Sequence, residues 1–329
     1  MRVSRYEKIV RASAFKPFVW LKALENGNSP ESVRDDSPRR YGKWQPRNYD
    51  KKYRGPVTLD DAFAASLNTI AAQLVIEAGP KSVAGVARRL GIRSTMANNA
   101  SLALGTSEVS LIELTSSYVP FANGGYRARP YLIRNIVSDS GKTLFRHRSR
   151  TKVRVVENRE LTMMNDMLRH VVSSGTGRGA ALGSRAAAGK TGTSQNFRDA
   201  WFVGHANRLT TGIWFGNDDN SSTRKLTGGN LPAKVWKSYM QVAIGAANAD
   251  IAPEVVSLPE KVAVPTPRPN QRVANFRPSR PIPIKQQLTV SRAPAPTSIR
   301  KESGTLRDRA NSLISRRNSI SITDLLNKP

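Results

Sequence analysis

Residues 186–216 hold three strand-like segments, and this stretch constrains the fold of the chain more than any other. The segments are 186–194, 200–206 and 210–216. Only Asn207, Arg208 and Leu209 connect the second segment to the third, and so short a connection joins antiparallel strands in a hairpin. The sequence therefore predicts an antiparallel sheet here, followed by a helix after Pro232.

The first of these segments carries Gly189-Lys190-Thr191-Gly192-Thr193. A phosphate-binding loop needs four residues between its first glycine and Gly-Lys-Thr, and a helix directly behind. Here five residues separate Gly183 from Gly189, and Gly192 and Thr193 are poor starts for a helix. Spacing and context exclude the phosphate loop. What remains is the Lys-Thr-Gly strand of serine acyltransferases, or a structural strand of small residues.

Composition limits the chemistry of the site. The chain has 329 residues, a net charge of +28 and no cysteine, which excludes disulfides, thiolate metal sites and thiol catalysis. His147, His170 and His205 lack metal-ligand spacing, and each is expected to be a surface or core residue. The sequence predicts a site without metal or cofactor.

The two ends of the chain differ from its middle. The first ten residues are too short and too polar for a signal sequence, and no window reaches the ~18 apolar residues of a membrane span. Residues 259–329 hold 10 of the 20 prolines, with 14 Lys+Arg against 4 Asp+Glu. Residues 1–250 are therefore predicted to fold, and 257–329 to form a disordered basic tail.

Ser13 and Lys16 lie near the start of a predicted helix that runs to about Leu24 and stops at Asn26-Gly27. A spacing of three residues puts both side chains on one face of the helix. Serine is a poor nucleophile without an adjacent base, which a lysine at this position could supply. Ser-x-x-Lys is frequent by chance, so only its position at a helix start and its order in the chain can distinguish a catalytic pair from a chance occurrence.

Thr58 is a predicted N-cap, and an apolar helical periodicity runs from Phe63 to Leu74, ending at Gly79. Ser66-Leu67-Asn68 lies within it. Periodicity favours one unbroken helix, whereas a role for Ser66 and Asn68 needs an exposed turn, and the residues alone leave both open. Further predicted elements are helices at 80–90, 108–121 and 158–172, and strands at 131–137 and 143–145.

Residues 28–56 form a polar, basic segment with interleaved aromatics. Taken alone, this composition fits single-stranded nucleic-acid binding, or a long ordered loop whose aromatics pack locally.

Ser13/Lys16, Ser66/Asn68 and Lys190-Thr191-Gly192 occur in the order Ser-x-x-Lys, Ser-x-Asn, Lys-Thr-Gly. With that order, the chain resembles the transpeptidase domain of class A, or bifunctional, penicillin-binding proteins. The resemblance covers residues 13 to about 245 and includes further matching segments, which begin at Trp44, Gly55, Ala103, Phe121, Gly175 and Asp199. Because the segment at Trp44 is part of it, specific nucleic-acid binding is disfavoured.

The resemblance implies an α+β fold of the serine β-lactamase and penicillin-binding-protein type, an antiparallel sheet with helices on both faces. It implies that Ser13 attacks the penultimate D-alanine carbonyl of a peptidoglycan stem peptide, with Lys16 as proton acceptor. Ser66 would relay a proton, Asn68 would orient the lysine and the substrate, and glycine at 192 would allow close approach of the acyl group. Lys190, Thr191 and Thr193 would receive the terminal carboxylate, and β-lactam antibiotics would acylate the same serine.

Some features depart from the family pattern. Only 12 residues precede Ser13, so by comparison with the family we expect this sequence to lack the membrane anchor, the glycosyltransferase domain and the first two transpeptidase strands, and to have an unpaired strand edge at 210–216. We expect the C-terminal part of a larger enzyme, at the periplasmic face of the inner membrane by resemblance. The alternatives are an inactive truncated remnant and a D,D-carboxypeptidase or β-lactamase-like serine hydrolase.

Overall fold

A computed structural model describes residues 9–10, 12–105, 107–148 and 152–248. The tail predicted at 257–329 lies outside the described residues. Within the described ranges, no helix combines the length and the apolar character needed to cross a membrane.

A three-stranded antiparallel sheet lies at the centre of the site region. Its strands are β7 (Ala188–Thr193), β8 (Asp199–Ala206) and β9 (Leu209–Gly216), in that order across the sheet. Asn207 and Arg208 both have positive φ, 44° and 68°, as a two-residue hairpin turn requires. The antiparallel hairpin predicted from the sequence is confirmed.

The two faces of the sheet pack against different helices. Trp201 and Val203 of β8 join the main helical core, whereas Phe202 and Ala206 pack with Trp236 on the other face. Trp236 belongs to α7 (Leu231–Asn248), the helix predicted to follow the sheet. Because successive side chains of a strand point to opposite faces, this alternation places helices on both sides, as the predicted fold class requires.

Six more helices lie within the described residues and form the remaining layers. They are α1 (Lys16–Glu25), α2 (Leu59–Ala64), α3 (Asn68–Ala78), α4 (Pro80–Leu90), α5 (Leu111–Ala122) and α6 (Asn158–Ser173). A 3-10 helix, Ala12–Phe15, leads directly into α1. Most of α1 is buried, and the Trp20 indole donates to the carbonyl of Leu59 at 2.9 Å. Pro17 is accommodated because it lies in the first turn.

Three short antiparallel strand pairs complete the described part of the chain. They are β1 (Ile9–Val10) with β4 (Glu108–Val109), β2 (Val33–Asp36) with β3 (Gly55–Thr58), and β5 (Asn135–Val137) with β6 (Thr143–Arg146). The segment 28–56 is therefore not wholly a loop, since β2 pairs with β3 across it. Its charged and proline residues gave no apolar alternation from which a strand could be predicted.

The structure resolves the conflict at Ser66. Thr58 caps α2 as predicted, its side chain accepting from the Asp61 amide at 3.0 Å, but the helix ends at Ala64. A turn follows, and α3 starts at Asn68. The helical periodicity is real on both sides of the turn, because α2 and α3 bury apolar faces in the same core.

Candidate functional site

Two lysine amines meet at the Ser66 hydroxyl. Nζ of Lys16 donates to Ser66 Oγ at 3.1 Å, to the Ser66 carbonyl at 2.6 Å and to Asn68 Oδ1 at 2.7 Å. From the opposite side, Nζ of Lys190 donates to Ser66 Oγ at 2.9 Å. The first turn of α1, the turn between α2 and α3, and strand β7 therefore each place a predicted site residue at one point.

The turn at Ser66 is held in a conformation that serine rarely adopts. Its φ is 57°, in the left-handed region, which costs a non-glycine residue of the order of 1 kcal/mol. The amides of Ser66 and Leu67 donate back to Phe63 and Ala62 of α2, at 3.0 and 2.9 Å. Leu67 is 2% exposed, so the turn is also fixed by packing. Together these contacts expose the serine hydroxyl to both lysines.

Burial determines the electrostatics of both lysines. Each is fully buried. Desolvation, with the nearby charge of Lys190, holds the pKa of Lys16 well below its usual value. Desolvation alone lowers the pKa of Lys190 to about 7. Among the described residues neither lysine forms a salt bridge that would offset this desolvation, so burial favours the neutral amine over the ammonium in both.

Strand β7 presents its hydroxyls beside these amines. Thr191 Oγ1 lies 2.8 Å from Thr176 Oγ1, and Thr193 Oγ1 accepts from the Gly228 amide at 3.1 Å. Because the Thr193 oxygen already accepts a bond, its own proton is available to an acceptor such as a carboxylate. Gly192 packs beneath the Gly228 turn, where a Cβ on Gly228 would lie 2.6 Å from the Gly192 oxygen.

A cavity of about 780 Å³ lies over this cluster. Its walls include Ser13, Ser66, Asn68, Thr191 and Thr193, whereas the two lysines are buried beneath it. A larger cavity, about 1080 Å³, lies between α5 and the β5–β6 hairpin and contains none of the predicted site residues. The smaller cavity is therefore the candidate active site.

The histidines and acids of the described residues suggest little further chemistry. His170 lies in the cavity wall, and its Nδ1 is 2.9 Å from Asp60 Oδ2. No group of three or more histidine, cysteine or acidic side chains is positioned to hold a metal ion within these ranges. The site as described is built from serine, lysine, asparagine and threonine.

Three residues of the site were not singled out from the sequence. They are Thr176, Gly228 and Asn48, the last of which lies in the basic aromatic segment. Each is recognisable only once the fold brings it to β7 or to α3, because none is near a predicted site residue in the chain. For Thr176 and Asn48, the one available signal was their place in segments that carry the family resemblance, and Gly228 had none.

The fold, an antiparallel sheet with helices on both faces and a serine and lysine cluster at one edge strand, is that of the serine β-lactamase-like class. The chain belongs to the family described as the penicillin-binding protein transpeptidase domain, whose model matches residues 7–241.

Relatives of known name support this assignment. The chain is 38% identical over 251 residues to penicillin-binding protein 1A of Aquifex aeolicus, and 34% identical over 246 residues to that of Neisseria meningitidis. These alignments cover 73% and 70% of this chain but 34% and 31% of the relatives. The chain thus spans about a third of the length of these curated relatives.

Solved structures give the same result. Penicillin-binding protein 1A from Haemophilus influenzae superposes with a TM-score of 0.66 at 28% identity, covering 78% of this chain and 44% of the other. PonA1 from Mycobacterium tuberculosis, in complex with penicillin V, superposes with a TM-score of 0.67 at 25% identity, covering 72% and 70%.

Proposed function

We propose that this domain is a D,D-transpeptidase that cross-links peptidoglycan stem peptides through an acyl-enzyme on Ser13. The observation that carries the proposal is the pair of buried lysines, without salt-bridge partners in the described chain, that meet on Ser66 beneath a cavity lined by Ser13. A serine nucleophile needs a neutral base, and burial lowers the pKa of Lys16, which favours its neutral form.

Acylation then proceeds in two proton transfers. Lys16 Nζ takes the proton of Ser13 Oγ as that oxygen bonds to the carbonyl carbon of the penultimate D-alanine. The amides of Ser13 and Thr193 stabilise the resulting oxyanion, which elsewhere is worth roughly 3 to 4 kcal/mol per donor. The C–N bond breaks, and the departing amine of D-alanine receives a proton through the Ser66 hydroxyl, which contacts both lysines.

The terminal carboxylate of the stem peptide binds at β7. Thr191 and Thr193 line the cavity, and the amine of Lys190, which is positively charged when protonated, lies buried beneath it. The amine of a second stem peptide then attacks the acyl carbon, forms an amide and restores the Ser13 hydroxyl. A β-lactam follows the same first step, and the penicillin V complex of PonA1 supports this ligand class for the present chain. By family, the reaction takes place on the periplasmic side of the inner membrane.

Labelling with a fluorescent penicillin tests the acyl-enzyme. We expect covalent labelling of the purified chain and none of Ser13→Ala, because that variant lacks the hydroxyl proposed to form the ester. The matched control is Ser82→Ala, an exposed serine of α4, which keeps full labelling. Thermal unfolding confirms that each variant is folded. Equal labelling of Ser13→Ala and the parent chain would exclude Ser13 as the nucleophile.

Product analysis tests the transfer step. An acyl-D-alanyl-D-alanine peptide is incubated with the protein and a small primary amine, and the products are separated by mass. A transpeptidase forms the new amide, and the yield rises with the amine concentration. Free acid alone, at every amine concentration, would identify a carboxypeptidase, and no product from a folded chain would identify an inactive domain.

A further inference from the structure

A buried polar cluster lies directly behind the Ser66 turn. Asp36, at the end of β2, is fully buried, and Asn48, between β2 and β3, is 4% exposed. Asn48 Nδ2 donates to both oxygens of the Asp36 carboxylate, at 2.8 and 3.0 Å, and to the Lys52 carbonyl at 2.9 Å. The Thr69 hydroxyl and the Arg54 amide also donate to Asp36.

The carboxylate fixes which way the Asn48 amide points. An ionised carboxylate can only accept hydrogen bonds, so the NH₂ group of Asn48 must face it. Oδ1 of Asn48 consequently faces the start of α3, where it accepts from the Asn68 amide at 2.9 Å. Asp36 therefore sets the orientation of the Asn48–Asn68 hydrogen bond, although Asp36 is not a partner in that bond.

The start of α3 needs that bond. Leu67 occupies the N-cap position, and its apolar side chain cannot accept from the first amides of the helix. Asn48 lies 20 residues before Asn68 in the chain, and its side chain supplies the missing acceptor. The neighbouring Arg47 carbonyl accepts from Asn68 Nδ2 at 2.7 Å, so both the backbone and the side chain of Asn68 are held from this segment.

With Nδ2 of Asn68 held by Arg47, its Oδ1 points at Lys16. That oxygen accepts from Lys16 Nζ at 2.7 Å. A continuous line of hydrogen bonds thus runs from the carboxylate of Asp36 through Asn48 and Asn68 to the amine proposed to act as the base.

We propose that Asn48, oriented by Asp36, is a positioning residue for acyl transfer, which holds the Ser66–Asn68 turn and through it the amine of Lys16. This inference rests on the proposed acyl-enzyme function. A change of about 1 Å in catalytic geometry can slow a reaction by roughly 100-fold. Asn48 also lines the candidate cavity, but its side-chain hydrogen bonds go to Asp36, the Lys52 carbonyl and the start of α3, so its link to Lys16 runs through Asn68.

The test compares two substitutions that each break a partly buried hydrogen bond between the β2 region and α3. Asn48→Ala removes the acceptor from the start of α3. Gln73→Met removes the bond from Gln73 Nε2 to the Asp35 carbonyl, 2.8 Å long, farther along the same helix. Penicillin acylation is followed over a range of drug concentrations, well below the melting temperature of each variant, to separate the acylation rate constant from drug binding.

We expect Asn48→Ala to lower the acylation rate constant by about 100-fold with little change in drug binding. Gln73→Met is expected to lose thermal stability but to acylate within about threefold of the parent. The two outcomes separate positioning from a general loss of stability, because a purely structural residue would lower the melting temperature without lowering the rate constant of the folded protein.

A second pair of variants tests the orientation by Asp36. Asn48→Asp places two carboxylates together and is expected to acylate slowly. Adding Asp36→Asn to this variant restores the pairing, because the amide at position 36 can donate to the carboxylate at position 48. That carboxylate also lies at the start of α3, where the helix dipole stabilises a negative charge. We therefore expect the acylation rate constant to recover at least about tenfold. Acylation by Asn48→Ala at the rate of Gln73→Met, or no recovery in the double variant, would overturn the inference. If the folded parent chain is not acylated, the proposed function and this inference both fail.

Discussion

Strands β7 and β9 form the two edges of one sheet, yet their environments are opposite. In β7, all residues except Thr193 are buried, whereas every residue of β9 is partly exposed. The buried strand carries Lys190 and packs beside the 3-10 helix that holds Ser13. The exposed strand contributes Trp214 and Ile213 to the two cores. The proposed chemistry therefore uses the strand where burial lowers the pKa of an amine, whereas β9 contributes packing.

The largest expected difference in stability is between alanine substitutions at two glycines. Gly228 packs against β7 and β8, and Gly212 lies in β9. A Cβ on Gly228 would collide with backbone atoms of Trp201 and Gly192, which cannot move without disturbing the sheet. A Cβ on Gly212 of β9 would meet mainly the side chain of Thr115, which can rotate. We expect Gly228→Ala to lower the free energy of unfolding by about 3 kcal/mol and Gly212→Ala by about 1 kcal/mol. Denaturant titration followed by circular dichroism measures both, and equal losses would contradict the comparison.

The next contrast is in pH dependence. The pKa of Lys190 is about 7 in the folded chain, below the ~10.4 of an unfolded lysine. Between these values the unfolded chain binds more protons, so the free energy of unfolding should rise with pH, by up to ~1.4 kcal/mol per unit. We expect Lys190→Met to reduce the slope of the free energy of unfolding against pH. Lys234→Met, an exposed lysine of α7, is the control and should leave it unchanged. An unaltered slope in Lys190→Met would mean that Lys190 is not buried as described.

The smallest contrast uses one substitution at two places. The Thr191 hydroxyl of β7 bonds to Thr176, whereas that of Thr210 in β9 is buried and has no partner among the described residues. Thr191→Val should lower the free energy of unfolding by about 1 kcal/mol, and Thr210→Val should raise it by a similar amount, because it removes an unsatisfied hydroxyl. Chemical unfolding at one pH measures both. If both variants lost stability, the proposed difference between a bonded hydroxyl in β7 and an unsatisfied one in β9 would be wrong.

Local signals were enough to predict the sheet, the cap at Thr58 and the helix at 80–90. The hairpin after Ala206 has a short connection, Thr58 precedes acids in a first helical turn, and Pro80 and Gly91 bound an apolar periodicity. In each case the determinants lie within a few residues of one another, so the sequence order itself carries the information.

The remainder depends on contacts between distant residues. The break at Ser66 is stabilised by burial of Leu67 and by Asn48, and neither effect can be read from the periodicity of residues 63–74. The helix predicted from 108 begins instead at Leu111, because Glu108 and Val109 pair with Ile9 and Val10. Likewise, nothing near Lys190 in the chain shows that its amine meets that of Lys16 across one hydroxyl.

At Ser66, the residue that the left-handed backbone favours for stability differs from the residue that the proposed activity needs. Glycine would adopt that φ without strain, but it would remove the hydroxyl on which both lysines converge. The residue required for the proposed reaction is thus not the one that the backbone prefers. Ser66→Gly would therefore be expected to gain stability and to lose the proposed activity, because it relieves the backbone and removes the hydroxyl in one change.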